Sequence, residues 1–453
     1  MTNKDFSRPK KCAILGSNDT TDRGLCMIHK KELSGVGVHS LTLPDKRFKT
    51  AQLTVALLLP LCEDTVEPYA LLPRVLIRGC AAYPDFTALN RRLNQLYGAS
   101  VSGEVARIGE TQALVLSAEC TGDRYAINGE ALTAACAELL LEMLFRPALE
   151  NGMFRQEDVV TERRCLAEEI RAEINEKRWY ARRQAERLLC PNEAYGIGRY
   201  GCAEKVEKLT PECLTEAWKT VLKTASVQLI LQADRPLPEI ETAFYEAFSA
   251  VGDRKPCKCE TDICTVLPEF RRQVERMEVG QSKLVMGFRA GCAEPQQGVA
   301  AVRLMNALLG GTASSLLFRN VREKLSLCYY CSSIYDRMKG VLFIQSGVDE
   351  PNVERAEKEI LLQLDAIRNG DFTDEDLEAA RRSLVQSFEA VGDSQGAKAA
   401  WFVSQAVLDN PETPEQACAA VEAVTRDEVI TAAKKVRYEC AYLLAQKGSE
   451  SDE

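Results

Sequence analysis

An internal repeat constrains the fold of this chain more than any other feature of its sequence. The segment FRQEDVVTERRCL begins at Phe154, and the segment FTDEDLEAARRSL begins at Phe372. At one constant offset the two segments share a phenylalanine, a Glu-Asp pair, an Arg-Arg pair and a leucine. Two similar units of roughly 200 residues each are the simplest arrangement that explains this repetition.

Strand-like and helix-like patterns alternate around both copies of the repeat. In the first unit, hydrophobic periodicity predicts strands at 51–60 and 226–233, a hairpin of 101–106 with 111–118, and helices at 73–79, 85–97, 131–145 and 240–250. In the second unit it predicts a hairpin in CYYCSSIYDRMKGVLFIQSGV and then a helix in NVERAEKEILLQLDAI. Because there is no strict β-α-β alternation, we expect an α+β fold. It would consist of two α/β sandwich units, each a mostly antiparallel sheet with helices on one face.

Changes in composition along the chain predict where these units begin and end. Prolines, charges and the lack of periodicity mark a linker between them, and the polar sequence GSESDE marks a frayed end. We therefore expect an extension of unknown structure at 1–31, an N-terminal unit at 32–251, a linker at 252–270, a C-terminal unit at 271–447 and an acidic tail at 448–453.

The charge balance argues against two classes of partner. The formal net charge is −9 at pH 7, whereas nucleic acid and anionic membranes both require a basic surface.

No run approaches the roughly 18 to 20 uninterrupted apolar residues of a membrane span. The basic residues at the N-terminus are not followed by the apolar core of a secretory signal. These features predict a cytoplasmic protein.

The cysteines are expected to be reduced thiols. There are eighteen of them, scattered and mostly in apolar contexts. Cys257, Cys259 and Cys264 form one cluster, and Cys328 and Cys331 form a C-x-x-C. Thiolates are good zinc ligands, but neither group has a second C-x-x-C or a histidine pair at finger spacing. Plain thiols are therefore favoured over a structural metal site.

The stretch VVTERRCLAEEIRAEI, which begins at Val159, predicts a helix with acidic residues in register. Glu162 and Glu169 are seven residues apart, so they lie on one face, two turns from each other. Such acids either face water, balanced by nearby arginines, or hold a metal ion. The chain has only two histidines, His29 and His39, in a loop-like stretch where a role as metal ligand is not expected.

The second unit contains an ordered series of motifs in LMNALLGGTASSLLFRNVREKLSLCYYCSSIY. They are a double glycine, a turn of small residues, a helix that ends in Arg-Glu-Lys-Leu, and a tyrosine that begins a strand: Gly310, Gly311, Ser314, Ser315, Arg322, Glu323, Lys324, Leu325 and Tyr329. This series resembles the insulinase/pitrilysin family, the inverted zincins that include mitochondrial processing peptidase, and most of all its non-catalytic bacterial members. The resemblance covers roughly residues 35–447 and implies the metallohydrolase fold of that family.

The metal motif of this family, H-x-x-E-H on a helix of the first unit, is degenerate in this chain. In the family its imidazoles bind zinc and its glutamate acts as general base. When the pattern is laid over YALLPRVLIRGC, Ala70 and Arg74 take the histidine positions and Pro73 takes the glutamate position. None of these side chains can bind zinc or accept a proton. The resemblance therefore implies no metal in this chain and no hydrolysis by the chain alone.

The same alignment places Glu169 at the family's distal zinc ligand and Glu162 at a supporting acid. The two acids thus look like the remnant of a metal site. A partly buried carboxylate without a neighbouring cation is costly, and a guanidinium can supply the missing positive charge. We predict that Arg74 pairs with Glu169 or with Glu162.

Arg322 and Tyr329 match a pair that the family uses in trans. There the tyrosine hydroxyl donates to the scissile carbonyl and the arginine orients the peptide. Leu316 and Ser326 depart from the family pattern, which often has arginine and glycine at these positions. The alternative is an ordinary surface arginine and a core strand tyrosine.

The resemblance implies a catalytically inactive subunit of a two-chain zinc peptidase. This chain would supply Arg322, Tyr329 and half of a peptide chamber, while a partner subunit with an intact H-x-x-E-H would hold the zinc cofactor. A heterodimer is expected, and a homodimer is possible. The alternative hypothesis is a scaffold or peptide-binding module with no role in proteolysis.

Overall fold

A computed structural model describes residues 29–33, 36–263 and 269–447, with side chains from residue 36 onwards. The expected acidic tail, Cys264 and nearly all of the expected extension at 1–31 lie outside these ranges. The first unit contains strands β1 (His29–Leu33), β2 (Val38–Pro44), β3 (Thr50–Pro60), β4 (Ser100–Ile108), β5 (Thr111–Thr121), β6 (Leu149–Glu150), β7 (Met153–Phe154) and β8 (Ser226–Ala233). Its helices are α1 (Val66–Leu76), α2 (Phe86–Gln95), α3 (Leu132–Phe145), α4 (Gln156–Ala172), α5 (Lys177–Leu189), α6 (Ala203–Val206), α7 (Pro211–Thr224) and α8 (Pro238–Ser249).

The second unit has the same kinds of element. Its strands are β9 (Arg271–Met277), β10 (Ser282–Arg289), β11 (Cys328–Asp336), β12 (Val341–Val348) and β13 (Arg437–Gln446). Its α-helices are α9 (Val299–Asn306), α10 (Val353–Asn369), α11 (Asp374–Glu389), α12 (Gln395–Val403), α13 (Pro414–Glu422) and α14 (Arg426–Lys435). Two π-helical segments, Ala307–Gly311 and Leu317–Lys324, follow α9.

The two large sheets share one topology, and β6 and β7 form a separate two-stranded sheet. The first sheet has the order β1-β2-β8-β3-β5-β4, and the second has the order β9-β13-β10-β12-β11. Apart from β1 the orders match strand for strand, and each sheet contains one parallel pair at the same place, β2 with β8 and β9 with β13. The other neighbours within each sheet are antiparallel. The expected α+β fold of two related sandwich units is therefore confirmed.

A reciprocal exchange of helices joins the units. The repeated segments lie on α4 and α11, and the next helix in each unit packs on the sheet of the other. From α5, Ala181, Ala185 and Leu189 pack against a cluster that includes Phe343 and Tyr442 of the second sheet. Each unit's own helices cover one sheet face, as predicted, and the opposite face is covered by a helix from the other unit.

The second half of this exchange is made by α12. Its residues Phe402 and Val403 pack with Leu41, Leu58 and Ile230 of the first sheet. The amide of Gln395, the first residue of α12, also donates to the backbone carbonyl of Thr50, in β3. Each sheet thus needs a helix from the other unit to remove its second face from water.

Two local predictions need correction. The first helix begins at Val66 and not at residue 73, because residues 66–72 are all buried, with Glu67 as their one charged member, and Pro73 is accommodated inside the helix. His29 and His39 lie in β1 and β2 and not in a loop. No helix in the described ranges is long and apolar enough to cross a membrane.

Candidate functional site

The face between α1 and α4 carries the positions that match the family's metal motif. Arg74 points from the last turn of α1, and its Nη2 donates to Oε2 of Glu169 on α4. The predicted ion pair between these two residues therefore forms. The Tyr200 ring lies beside it, with its centroid 5.8 Å from the Arg74 guanidinium. Burial disfavours the charge of Arg74, yet the hydrogen bond and the charge of Glu169 raise its pKa above the ordinary value.

A second arginine, Arg78, forms an ion pair with Glu162 that the sequence analysis did not predict. Arg78 Nη1 lies 3.5 Å from Glu162 Oε1, and Arg78 Nε lies 3.4 Å from Asp158 Oδ1. Burial raises the pKa of Glu162, and the charges of Arg78 and Arg74 oppose this rise. The sequence spacing could have predicted these contacts. Arg78 follows Arg74 by four residues and Asp158 precedes Glu162 by four, so each pair lies on one face of its helix.

The residues at the motif positions do not fit a zinc ion. Ala70 is fully buried and offers no donor atom. Pro73 lies inside α1, and its carbonyl oxygen would be 2.4 Å from a Cβ on Gly103 of β4, so the helix and the strand touch through backbone. Arg74 is a cation. Across 36–263 and 269–447, no three histidine, cysteine or acidic side chains are grouped so that they could hold a metal ion.

A small cavity opens where α1 meets β4, the last strand of the first sheet. It has a volume of about 260 Å³ and is lined by Arg74, Gly103, Glu104, Val105, Arg199 and Tyr200. The guanidinium of Arg199 stacks 4.5 Å from the centroid of the Tyr200 ring. The cavity therefore combines two guanidinium groups, a buried tyrosine ring and the backbone of a sheet edge.

Arg322 and Tyr329 are presented on the surface of the second unit. Arg322 lies in the π-helical segment Leu317–Lys324, is exposed, and stacks 4.5 Å from the centroid of Phe318. Tyr329 lies on β11, the outer strand of its sheet, and is 69% exposed. The alternative of a core tyrosine is therefore wrong.

Ser326, between these two residues, has a φ of 50°. This is the left-handed region that favours glycine, the residue that the family often has there. The departure noted in the sequence thus coincides with an unfavourable backbone conformation in the segment that connects Arg322 to Tyr329.

Comparisons with known proteins agree with this geometry. The sequence profile described as "Peptidase M16 inactive domain" matches residues 208–384. The "Probable inactive metalloprotease YmfF" of Bacillus subtilis (strain 168) is 30% identical over 424 residues, which are 93% of this chain and 98% of that protein. This chain belongs to the peptidase M16 family. The resemblance to the insulinase/pitrilysin family, and to its non-catalytic bacterial members, is confirmed.

Solved structures show the same fold. A conserved protein from Enterococcus faecalis V583 superimposes with a TM-score of 0.82 at 23% identity, over 94% of this chain and 100% of the other. A peptidase M16 inactive domain from Pseudomonas fluorescens gives a TM-score of 0.75 at 16% identity, over the same shares of the two chains. The M16 architecture therefore spans both units.

For an M16 protein, the donor set on α1 and α4 is unusual in its charge. Within the described residues, two arginines face three acids on these helices, and the arginine Arg74 takes the place of one of the two imidazoles of the family pattern. Such a set can bind through ion pairs and hydrogen bonds but cannot activate a water molecule on a metal.

Proposed function

We propose that this chain is a non-catalytic M16 subunit that completes the peptide site of a zinc-bearing partner. The observation that carries the proposal is the ion pair of Arg74 with Glu169. This pair joins two positions that match metal ligands in the family pattern. Arg322 and Tyr329 meanwhile stay exposed. One potential site is closed to metal while the residues suited to act in trans are accessible.

Each exposed residue has a defined task in this proposal. The Tyr329 hydroxyl donates a hydrogen bond to the scissile carbonyl as negative charge develops there, and donors of this kind are typically worth about 3 kcal/mol of barrier. Arg322 holds the peptide by its backbone or an acidic side chain. The partner is an M16 subunit with an intact H-x-x-E-H, which supplies the zinc and the base, and the complex works on peptides in the cytoplasm.

The test is reconstitution of peptidase activity. The partner is assayed alone, with the wild-type chain, and with the Arg322→Ala or Tyr329→Phe variant. We expect each variant to bind the partner normally and to lower kcat/KM by about 10²-fold or more, as removal of an oxyanion donor does. Lys324→Ala and Tyr125→Phe are matched controls, because both residues are exposed. Equal rates with variants and controls would contradict the role in trans.

A second function is favoured by a different observation. The cavity between α1 and the β4 edge, with Arg74, Arg199 and Tyr200 in its wall, suits a peptide-binding module without catalysis. An extended peptide can add to an open strand edge through its backbone, and the guanidiniums can hold a carboxylate.

Fluorescence anisotropy with the chain alone separates the two functions. If the chain is a peptide-binding module, labelled peptides bind without any partner and Arg199→Ala weakens the binding, while Arg322→Ala has no effect. If the chain acts in trans on a partner's site, the variants at Arg322 and Tyr329 change turnover, and peptide binding to the chain alone is weak or absent.

A further inference from the structure

Two cysteines lie together in the connection between the units. Cys257 and Cys259 flank Lys258 in the segment that follows α8. The backbone N–H groups of Lys255 and Cys257 donate to the carbonyls of Lys223 and Thr224, at 2.9 and 2.7 Å. Hydrogen bonding by alternate residues is typical of an extended strand, in which residues two apart point to the same side.

Burial along this segment agrees with an extended chain. From Cys257 to Asp262, half-buried and exposed residues alternate one by one, and both cysteines are among the half-buried ones. Two residues of extended chain span about 6.6–7.2 Å, whereas Cα atoms joined by a disulfide are usually about 4.4–6.8 Å apart. A slight contraction of the segment is therefore enough to join the two sulfur atoms.

The surroundings of Cys257 suit a nucleophilic thiolate. As a neutral thiol, its Sγ lies 3.6 Å from the carbonyl oxygen of Leu58. As a thiolate, it accepts a hydrogen bond from the Cys259 thiol. This bond lowers the pKa of Cys257 to about 7 against the opposing effect of burial, with help from the backbone N–H of Ser226 and the charge of Arg254. The carbonyls of Val36 and Ala225 hold that guanidinium in place.

Two other thiol pairs give a built-in comparison. Cys328 interacts with Cys331, and Cys120 interacts with Cys136. All four of these residues are at most 7% exposed, whereas Cys257 and Cys259 are half-buried. Access from solvent therefore distinguishes the pair in the connection from the buried pairs.

We propose that Cys257 and Cys259 form an oxidation site that reacts with hydroperoxides. The Cys257 thiolate attacks one oxygen of ROOH, the O–O bond breaks, and the leaving alkoxide takes a proton to become ROH. This step leaves a sulfenic acid on Cys257. The Cys259 sulfur then attacks the Cys257 sulfur and water leaves, which forms the disulfide. In total, ROOH and two thiols give one disulfide, ROH and water.

Cys257 lies close enough to α1, the helix with the degenerate motif, to interact electrostatically with Tyr69 on that helix. Burial raises the pKa of Tyr69, and the charge of the Cys257 thiolate adds to this rise. Tyr69 directly precedes Ala70 on α1. Oxidation of Cys257 removes the negative charge of its thiolate from the surroundings of Tyr69, and so changes the electrostatic environment of α1.

The test is oxidation of the full chain with hydrogen peroxide, followed by alkylation, digestion and mass spectrometry. We expect the Cys257–Cys259 disulfide to form at least tenfold faster than a disulfide in either buried pair, with a rate that rises as pH increases through about 7. In Cys259→Ser, dimedone should label Cys257, and Cys257→Ser should abolish this label.

In a control variant, Cys328→Ser with Cys331→Ser, the disulfide between Cys257 and Cys259 should form at the wild-type rate. The proposal is overturned if Cys257 and Cys259 stay fully alkylated while other cysteines oxidise. It is also overturned if Cys259→Ser accumulates its dimedone label at another residue.

Discussion

Replacement of Lys339 by methionine should destabilise the whole chain, because this lysine carries the charge that joins the two units. Its side chain is completely buried in the turn between β11 and β12, and Nζ lies 2.6 Å from Glu110 Oε1 and 2.6 Å from Glu193 Oε2. It also donates to the carbonyl of Asp262. Glu110 lies in the turn between β4 and β5, so the contact joins equivalent hairpins of the two units.

The magnitude follows from what each carboxylate keeps after the change. Glu193 keeps Arg289, whose Nη1 lies 3.1 Å from Oε2. Among the residues that the structure describes, Glu110 keeps only backbone donors, the N–H of Asp262 at 3.0 Å and that of Tyr195 at 3.4 Å. Removal of one partner from a buried ion pair costs about 3–5 kcal/mol. Because one of the two acids keeps a cation, we expect about 3–4 kcal/mol, a large part of the roughly 5–15 kcal/mol that stabilises a typical protein.

Urea denaturation, followed by tryptophan fluorescence and far-ultraviolet circular dichroism, measures this loss. The control Lys219→Met removes an exposed pair with Glu216 and should change the free energy of unfolding by less than about 0.5 kcal/mol. Adding Glu110→Gln to the Lys339→Met variant should recover part of the loss, since it removes the uncompensated charge. A loss below about 1 kcal/mol, or no recovery in the double variant, would refute the reasoning.

Three further outcomes are expected. The triple variant A70H/P73E/R74H should bind about one equivalent of zinc by metal analysis, and Glu169→Gln in that background should abolish the binding. The pKa of Glu193 is lowered in the folded state, because Arg289 and Lys339 outweigh burial; its contribution is complete above the unfolded pKa of about 4.3 and is lost as pH falls. Acid titration of stability should therefore be less steep in Lys339→Met. The second unit expressed alone lacks α5 and should bind a dye that recognises exposed apolar surface.

Elements whose signal is local were predicted well from the sequence. The hairpin of β4 and β5 and the strand β8 have regular periodicity and were found within two or three residues of their ends. The start of α1 was misplaced because proline is common in the first turn of helices, and Pro73 instead lies inside one. The strand β9 was missed because its exposed, arginine-rich sequence has no apolar face.

The candidate site was predicted only as far as the family pattern describes it. The pair of Arg74 with Glu169 followed from the family pattern, which encodes a contact between distant segments. The contacts of Arg78 with Asp158 and Glu162 have no counterpart in that pattern. The exchange of α5 and α12 between the units leaves no trace in periodicity, because an amphipathic helix shows that one face is buried but not what covers it.

This exchange limits how the chain can open for a peptide. To separate the units, α5 must leave a sheet face where Ala181, Ala185 and Leu189 are almost fully buried. Exposing a side chain of the size of Leu189 costs about 1.5–3 kcal/mol. The ion pairs of Lys339 must break in the same step. Movement between the units is therefore costly. If the chain forms half of a peptide chamber, as proposed, that chamber must open at the contact with the partner subunit.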